Sequence, residues 1–542
     1  MSYVYPLLWR FGVLRVPEIV EKNMSLTLEF GFFRDLKEAE TMNQLMRTTP
    51  EEMGLHSQNI LNLLERLEKE NISVVSMMLL RHNQVLYKAY WPPYTQEQLR
   101  TVYSLSKTFT AMAIGIAAGE GKIRLDERIV DLFPEQVKNA PDSPQLQMLT
   151  IRHLLMMSTG QGNEPFHQEN AWDDAISAFL REPFADAPGE TFRYNTGATY
   201  MLSAALKQRG IDLEEYLREK LLTPMGITGT RWIRDPNGIC TGGFGFSLHP
   251  EDIAKLGILL MQSGRWNGQQ LVPEWYVREA TTRQIGNGDD PNSDWAQGYG
   301  YQCWMCRYPG SFRADGAYGQ FGVVFPDLDL IVILTTATEQ TQEELSALQE
   351  ELIPYVKKEA GELPPSPLAG AVKERTADLA LPPRRGTRNP FMEEKVSKHV
   401  YVSAPLMGNQ QLPDSAEILI GGSGLFSLET SPIQEMRFSF GSDKMYWEVQ
   451  EGGKEKEFVL SMRRDFAYSE ADGHIYAGSA AWRTVNTLEM ELRRMDGLSG
   501  GRMIVRFQEE KLLLEAEDTL ISVGGLGISP RQALTAFEVK ES

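Results

Sequence analysis

The stretch TVYSLSKTFTAMAIGIAAGEG, residues 101–121, decides which fold this chain is expected to adopt. Its apolar positions follow the i, i+3, i+4, i+7 spacing of one helical face: Phe109, Met112, Ala113, Ile116 and Ala117. Gly119 and Gly121 come after the last of these positions and predict the end of the helix. Because most of the intervening residues are small or apolar, we predict that this helix is buried.

Two polar residues stand at the front of the helix. Ser104 and Lys107 are three residues apart, so they share one helical face. A neutral amine beside a hydroxyl can accept the hydroxyl proton, and this is the Ser-x-x-Lys arrangement of enzymes with a serine nucleophile. The positive end of the helix dipole favours negative charge that forms nearby. Roughly one or two such matches are expected by chance in a chain of this length, so the pattern needs support from other residues.

The size and charge of the chain narrow the possible functions. A length of 542 residues predicts about two to four domains. The hydrophobic fraction of 42% is enough to build sizeable cores. A net charge of −19 argues against a nucleic-acid partner or an anionic membrane surface, because phosphate binding needs clustered Lys and Arg.

The three cysteines, Cys240, Cys303 and Cys306, are too few for a disulfide framework. Cys303 and Cys306 form a Cys-x-x-Cys pair, but no second Cys or His pair follows at zinc-binding spacing. We therefore predict buried structural thiols, no metal and no cofactor.

Residues 1–46 form an N-terminal extension of unclear role. They either pack on the surface or precede a true translation start at a later methionine. The beginning of the chain lacks a basic n-region, and Pro6, Arg10 and Arg15 interrupt its apolar stretch. No run of about 18 apolar residues occurs, so no membrane span is predicted. We expect a cytoplasmic protein, with export by an atypical signal as the alternative.

Residues 47–360 are predicted to form an α/β domain of the α+β kind. Two apolar runs at 73–80 and 84–90 predict a hairpin, and a mostly helical block follows at 125–240. Later strands are predicted at 298–307, 311–314, 320–325 and 328–336, before an amphipathic helix at 341–359. The two groups of strands are expected to join in one antiparallel sheet with helices on its faces.

The C-terminal third has a different composition. Residues 361–390 are rich in proline and predict a linker. Residues 391–542 contain short alternating runs, which predict an all-β sandwich or barrel: 435–440, 445–450, 457–462, 474–477, 487–493, 502–507 and 511–515. We expect this domain to fold separately and to take no part in the chemistry.

A second serine motif is not expected to carry a nucleophile. Residues 497–501, Gly-Leu-Ser-Gly-Gly, match the Gly-x-Ser-x-Gly pattern around Ser499. That motif needs a strand before it and a helix after it. Here strand-like runs lie on both sides, so we predict a hairpin turn.

Two further segments can support Ser104. Tyr194 follows a Pro-Gly turn and precedes a helix, so its ring can project into a cleft. As a base it would need a lowered pKa, which the charge of Lys107 would supply. Small residues at 314–320 allow a strand to approach a ligand closely, and a backbone N–H there could form an oxyanion hole with that of Ser104.

Taken in order, these segments resemble the serine β-lactamase and penicillin-binding-protein superfamily, most closely its class C-type branch with related esterases and D-aminopeptidases. In that family a Ser-x-x-Lys opens the central helix, a Tyr-x-Asn follows, and a Lys-Thr-Gly or His-x-Gly lies on a strand. Flanking segments are similar too: 125–126 with 132–134, 150–160, 188–189, 242–244 with 251–255, and 319–327. The likeness covers roughly residues 48–358.

The resemblance implies a role for each matching residue. Ser104 becomes the acylated nucleophile, and Lys107 with Tyr194 becomes the acid–base pair. The third motif fits best as Ala314-Asp315-Gly316, which makes the N–H groups of Ser104 and Ala317 the oxyanion hole. An alternative register, Ala317-Tyr318-Gly319, moves the second N–H to Gln320. The implied substrate-binding residues are Asn195, Thr196, Ala314, Asp315, Gly316 and Tyr318.

The sequence departs from the family pattern at two positions. Thr196 stands where the family has Asn, so its hydroxyl or the amide of Asn195 would take that role. Ala314 replaces the Lys or His of the third motif, which removes a partner for a substrate carboxylate. We therefore expect esters, or amides without a critical carboxylate, to be better substrates than β-lactams.

The resulting expectation is a serine hydrolase that cleaves an ester or amide bond of a small-molecule substrate through an acyl-enzyme on Ser104. The alternative is a penicillin-binding-type protein that is acylated but turns over little. The sequence predicts no oligomeric state.

Overall fold

In the computed structural model, the described residues are 45–165, 171–359, 361–397, 399–403, 433–497, 500–518 and 531–539. From Arg47 onward they belong to one compact unit. Almost all of the N-terminal extension lies outside the described residues, and so does Ser499. Within the described ranges, no helix is long and apolar enough to cross a membrane.

Most α-helices belong to the first part of the chain, where they surround its sheet, and two more follow at residues 369–377 and 390–396. The α-helices are Ser57–Lys69 (α1), Ser106–Gly119 (α2), Ile129–Leu132 (α3), Pro134–Val137 (α4), Pro144–Met148 (α5), Ile151–Leu155 (α6), Ala175–Arg181 (α7), Thr196–Gln208 (α8), Leu213–Leu217 (α9), Pro250–Met261 (α10), Glu274–Ala280 (α11), Thr341–Glu351 (α12), Ala369–Ala377 (α13) and Pro390–Val396 (α14). Short 3-10 turns lie at Glu51–Met53, Tyr103–Leu105, Ala171–Asp174, Pro326–Leu328 and Ile353–Tyr355.

The strands of this first part are Val74–Arg81 (β1), Gln84–Tyr90 (β2), Arg100–Thr101 (β3), Arg231–Trp232 (β4), Phe246–Leu248 (β5), Arg265–Trp266 (β6), Gln269–Gln270 (β7), Trp304–Met305 (β8), Phe312–Gly316 (β9), Gln320–Phe325 (β10) and Leu330–Thr336 (β11). In the described chain, six of them form an antiparallel sheet in the order β2-β1-β11-β10-β9-β8. A small sheet in the order β3-β5-β4 lies apart from it.

The central sheet is covered on both faces. The sequence of β1 is VVSMMLLR, and every one of its residues is buried. Such a continuous apolar run is typical of a strand with helices on both sides. Helices α1 and α12 share one apolar core with the sheet. Helix α10 lies on the opposite face, where Gly257 leaves room for Ile331 of β11.

The predicted sheet is confirmed. Strand β1 pairs antiparallel with β11, so the first and last groups of strands do join. The predicted first hairpin is also confirmed, because His82 and Asn83 at its turn have φ angles of 49° and 60°. Two consecutive left-handed residues are typical of the tight turn that joins antiparallel strands.

One predicted strand is mostly wrong. The run at 298–307 contains only the short strand β8. Gly298 and Gln302 have φ angles of 115° and 55°, which are incompatible with extended backbone. The apolar composition of this run therefore reflects a buried loop.

The C-terminal domain is an all-β barrel, which confirms the predicted class. Its strands are Val400–Ser403 (β12), Ile433–Phe440 (β13), Lys444–Glu451 (β14), Lys454–Ser461 (β15), Ala467–Ala471 (β16), His474–Trp482 (β17), Thr487–Arg494 (β18), Gly500–Phe507 (β19), Lys511–Asp518 (β20) and Arg531–Val539 (β21). The order is β15-β14-β13-β12-β21-β20-β19-β18-β17-β16, and Ser461 of β15 also pairs with Ser479 of β17. This extra pairing closes the ring around a core of alternating apolar side chains.

The proline-rich segment 361–390 is packed against its neighbours and contains α13. Val372, Leu379 and Leu381 join the apolar core of the central sheet. The N–H of Leu381 donates to the oxygen of Pro92 at 2.7 Å. The domain boundaries themselves stay predictions.

Candidate active site

The segment that carries Ser104 is a short turn directly before α2. Tyr103 in this turn has a φ of +49°, a left-handed conformation that is uncommon for an aromatic residue. The N–H of Val102 donates to the oxygen of Phe246 at 3.0 Å, and the hydroxyl of Ser106 donates to the oxygen of Tyr103 at 2.5 Å. These bonds hold the turn in a strained shape, as is common at functional sites.

Lys107 lies in the first turn of α2 and is 2% exposed. Its Nζ lies 3.1 Å from the Oγ of Ser104, 2.7 Å from the carbonyl oxygen of Gly243 and 3.4 Å from the Oγ1 of Thr196. Burial lowers its pKa from 10.5 to about 7, although the nearby carboxylates of Glu164 and Asp315 act in the opposite direction. The amine is therefore substantially deprotonated just above neutral pH.

This geometry suits a neutral amine. A neutral lysine has two N–H bonds and one lone pair. The carbonyl oxygen of Gly243 can only accept, and the Oγ1 of Thr196 can accept the second N–H. The lone pair is then left for the hydroxyl proton of Ser104. With these three contacts, a neutral Lys107 can accept the serine proton.

Tyr194 lies against the same amine, as predicted. Its ring stacks on Trp304 with 5.5 Å between centroids, and the Nζ of Lys107 lies 5.0 Å from the ring centre. Its pKa is raised above the ordinary value by desolvation, which outweighs the hydrogen bond to Ser104. The expected lowering of this pKa is therefore wrong, because burial of the phenol disfavours its charged form more strongly than its neighbours stabilise it. Tyr194 is protonated at neutral pH and can donate a proton.

Glu164 is a site residue that the sequence did not reveal. Its carboxylate accepts from the N–H of Thr196 at 2.5 Å and from that of Gly197 at 3.0 Å. It thereby caps α8, the helix that follows Tyr194, and places a negative charge near Lys107. Glu164 lies in a loop without periodic pattern, and no sequence signal marks it.

Asn195 has a structural task. Its Oδ1 accepts from the N–H of Ala198 at 3.1 Å, and its Nδ2 donates to Gln161 at 3.0 Å. The residue is 3% exposed and caps α8. Thr196, and not Asn195, is therefore the residue that forms a hydrogen bond with Lys107, and substrate-binding roles of both residues stay predictions.

The third motif lies at the end of β9, beside the serine turn. A Cβ on Gly316 would lie 2.3 Å from the oxygen of Val102 and 3.2 Å from the nitrogen of Leu105. Only glycine allows this close approach of β9 to the turn that carries Ser104. Tyr318 of the alternative register also contacts this turn, with 5.5 Å between its ring centroid and that of Tyr103, so the register of the third motif stays a prediction.

The charged residues of β9 form a closed pair. Arg313 is fully buried, and its Nε donates to Asp315 at 2.7 Å. The guanidinium also donates to the carbonyl oxygen of Asp294 at 2.8 Å and lies over the ring of Trp295 at 4.7 Å. Ala314 is 2% exposed. The Arg313 guanidinium is thus paired with groups inside the protein.

A pocket of about 360 Å³ opens next to the third motif. Its lining residues are Trp295, Asp315, Gly316, Ala317, Tyr318, Phe321, Thr338, Glu339 and Thr341. This lining contains no basic side chain and three large aromatic ones. Burial raises the pKa of Asp315, although the charge of Arg313 lowers it. The predicted residues Asp315, Gly316, Ala317 and Tyr318 therefore share one pocket.

Metal ligation has no support among the described residues, where no cluster of three or more His, Cys, Asp or Glu could hold an ion. All three cysteines are buried and unpaired by disulfides, as predicted. Cys303 and Cys306 do not form a metal-binding group.

Comparison with known proteins identifies a family. A family model described as Beta-lactamase matches residues 58–353. An uncharacterized protein of Alkalihalophilus pseudofirmus is 23% identical over 258 residues, which are 42% of this chain and 70% of that protein. The beta-lactamase of Escherichia coli is 27% identical over 146 residues, which are 27% of this chain and 37% of that protein.

Among solved structures, the octameric penicillin-binding protein homologue from Pyrococcus abyssi covers 88% of this chain and 99% of its own, with 14% identity and a TM-score of 0.43. The chain spans little more than a third of the Escherichia coli beta-lactamase.

Proposed function

Because the chain belongs to the beta-lactamase family, it is an enzyme of the serine hydrolase type, and we propose that it cleaves an ester or amide bond through an acyl-enzyme on Ser104. The observation that carries this proposal is the position of Lys107. Its amine is buried, has a pKa of about 7 and lies 3.1 Å from the Oγ of Ser104. A base with a pKa near the working pH is well suited to proton transfer.

In acylation, Lys107 takes the hydroxyl proton while the Oγ of Ser104 attacks the carbonyl carbon of the substrate. The tetrahedral oxyanion accepts hydrogen bonds from the N–H groups of Ser104 and Ala317, a role that the close approach of Gly316 to the serine turn supports. Preorganised donors of this kind stabilise the charge that develops in the transition state. The bond to the leaving group then breaks, and Tyr194 gives that group its proton and is reprotonated from Lys107.

Deacylation uses the same residues in reverse. A water molecule loses a proton to Lys107 and attacks the acyl carbonyl carbon. The bond to the Oγ of Ser104 breaks, the carboxylic acid leaves, and Ser104 regains its proton. The likeness to the class C-type branch and a cytoplasmic location remain part of the proposal.

The pocket beside the third motif, whose lining includes Asp315 and Gly316 but not Ser104 or Lys107, favours uncharged substrates. The lining of the pocket carries two acidic residues and no basic one, and the guanidinium of Arg313 is bound to Asp315. A substrate carboxylate would find no partner at Ala314. Esters and neutral amides are therefore the favoured substrates, and the partly buried Trp295 and Tyr318 offer an apolar surface for their side groups.

The test combines labelling with turnover. The purified protein is treated with a fluorophosphonate, the adduct is mapped by mass spectrometry, and hydrolysis of a p-nitrophenyl ester is followed over many turnovers. We expect an adduct on Ser104, its loss in Ser104→Ala, and unchanged labelling in the control Ser499→Ala. Steady turnover supports the hydrolase, whereas one stoichiometric burst supports the alternative of an acylated protein with little turnover. An adduct elsewhere, or labelling that persists in Ser104→Ala, contradicts the proposal.

A further inference from the structure

A turn of the barrel reaches the segment that carries the nucleophile. Met495, Asp496 and Gly497 follow β18, and β3 lies directly against them. Strand β3 ends at Thr101, three residues before Ser104. The barrel was expected to take no part in the chemistry, but this turn contacts the immediate neighbourhood of the serine.

The contact consists of buried hydrogen bonds. The N–H of Thr101 donates to the carbonyl oxygen of Asp496 at 3.0 Å. The guanidinium of Arg100 donates to the oxygens of Met495 at 3.4 Å and of Gly497 at 3.1 Å. Arg100 is 2% exposed, and burial lowers its pKa. Each of these backbone oxygens therefore receives a donor that water cannot easily replace.

The other edge of β3 is held by the first part of the chain. Arg100 and Thr101 pair with Leu248 and Ser247 of β5. The barrel turn is thus the second neighbour of β3, on the edge opposite β5. Because β3 is fixed on both edges, the strained Tyr103 turn that follows has little freedom to relax.

The barrel turn is itself anchored. The carboxylate of Asp496 accepts from Arg494 at 2.7 Å and lies 2.8 Å from the Nδ1 of His474. It also pairs with Arg231 of β4 at 2.5 Å. Burial would raise the pKa of Asp496, but Arg494 and His474 lower it to about 2. This carboxylate is therefore charged at any working pH and ties the barrel to the small sheet.

We propose that the turn Met495–Gly497 is a positioning element of the active site, which acts through Arg100 and Thr101 to hold Ser104 against Lys107. This inference rests on the proposed function of Ser104. It assigns the barrel a part in building the site without any contact between the barrel turn and the substrate.

The experiment compares full-length variants. Arg100→Met removes both side-chain hydrogen bonds to the turn and leaves that of the Thr101 N–H. Arg100→Lys retains a cation, and Val505→Ala destabilises the barrel core away from the turn. Each variant is measured for its melting temperature, for kcat and KM on a p-nitrophenyl ester, and for its rate of fluorophosphonate labelling. A displacement of about 1 Å can cost on the order of 100-fold in rate. We expect Arg100→Met to lose on the order of 100-fold in kcat and in labelling rate with little change in KM, and Arg100→Lys to recover part of this loss.

Val505→Ala should lower the melting temperature but label at the wild-type rate. Wild-type labelling rates in a folded Arg100→Met overturn the inference and leave the proposed function intact, whereas wild-type protein that does not label overturns both. If Arg100→Met does not fold, Asp496→Asn provides the test. We then expect faster hydrogen exchange in residues 100–104 together with slower labelling, and no change in either overturns the inference.

Discussion

Replacement of Lys107 by Met should remove activity and, at the same time, make the protein relatively more stable at low pH. Methionine has a similar length and packs well in apolar surroundings. The variant lacks the base for Ser104, so acylation should become too slow to follow. The buried amine also carries a cost in folding free energy, because burial disfavours its charged form.

The size of this effect follows from the pKa of Lys107, which is about 7 in the folded protein against an ordinary 10.5. Between these values the unfolded chain binds a proton that the folded chain has released. Wild-type stability therefore rises with pH across this window, by up to about 1.4 kcal/mol per pH unit. Below pH 7 both states are protonated and the full cost is present. From pH 6 to pH 9 the wild type should gain about 2 to 3 kcal/mol relative to Lys107→Met.

The assay is guanidinium denaturation of both proteins at pH 6, 7, 8 and 9, followed by tryptophan fluorescence. The control is Lys138→Met, because the side chain of Lys138 is 64% exposed and forms a surface ion pair with Glu135. Its stability difference from wild type should change little with pH. In parallel, kcat/KM of the wild type for an ester should rise with pH and level off above about pH 7, as Lys107 loses its proton.

A stability difference for Lys107→Met that is the same at every pH would contradict a lowered pKa of Lys107. It would show that Lys107 keeps an ordinary pKa in the folded protein and is charged at neutral pH. A charged amine has no lone pair for the serine proton, so another group would have to act as the base.

Three further predictions concern the surroundings of the serine. Ala314→Lys should raise kcat/KM for a chromogenic cephalosporin on the order of 10- to 100-fold relative to an ester, because a hydrogen bond to a carboxylate contributes about 1.5–3 kcal/mol; no relative gain, or a wild type that prefers the cephalosporin, would contradict this. Glu164→Gln should shift the rising limb of the kcat/KM profile to lower pH, since the Glu164 charge raises the pKa of Lys107; an unshifted limb would show that this charge is not felt. Gly316→Ala should reduce labelling and melting temperature, because its Cβ would lie 2.3 Å from a backbone oxygen of the serine turn, whereas Gly370→Ala, with no atom within 4 Å, should match wild type in both measurements.

The sequence predicted those elements whose signals are local. The hairpin between β1 and β2 was predicted because two apolar runs flank a short polar turn. In the structure, His82 and Asn83 of this turn have left-handed φ angles. The buried helix α2 was found because its residues are apolar or small over several turns. Strands β12, β16 and β21 were missed. Strand β16 reads Ala-Tyr-Ser-Glu-Ala and depends on its partner β17 rather than on its own composition.

The site residues that belong to short sequence motifs were predictable. Residues that reach the site only through contacts between distant segments were not. Ser104, Lys107 and Tyr194 come together as expected. Glu164 was missed because its bonds to the start of α8 arise only after folding. The pKa of Tyr194 was misjudged because burial outweighs the hydrogen bond that lowers it. Desolvation depends on the whole fold and cannot be read from residue spacing.

The buried thiols make this chain a convenient host for spectroscopic probes. Burial raises the pKa of Cys240 and of Cys303 to about 12, and that of Cys306 to about 11. The thiolate is the nucleophile that attacks a maleimide, so these three side chains should react slowly in the folded protein. Tyr355 near the central sheet is 49% exposed, and Val485 on the barrel is 79% exposed. A cysteine introduced at either position would therefore be accessible to the reagent. A fluorophore pair at these two positions would report the distance between the barrel and the sheet during turnover, without removal of any native cysteine.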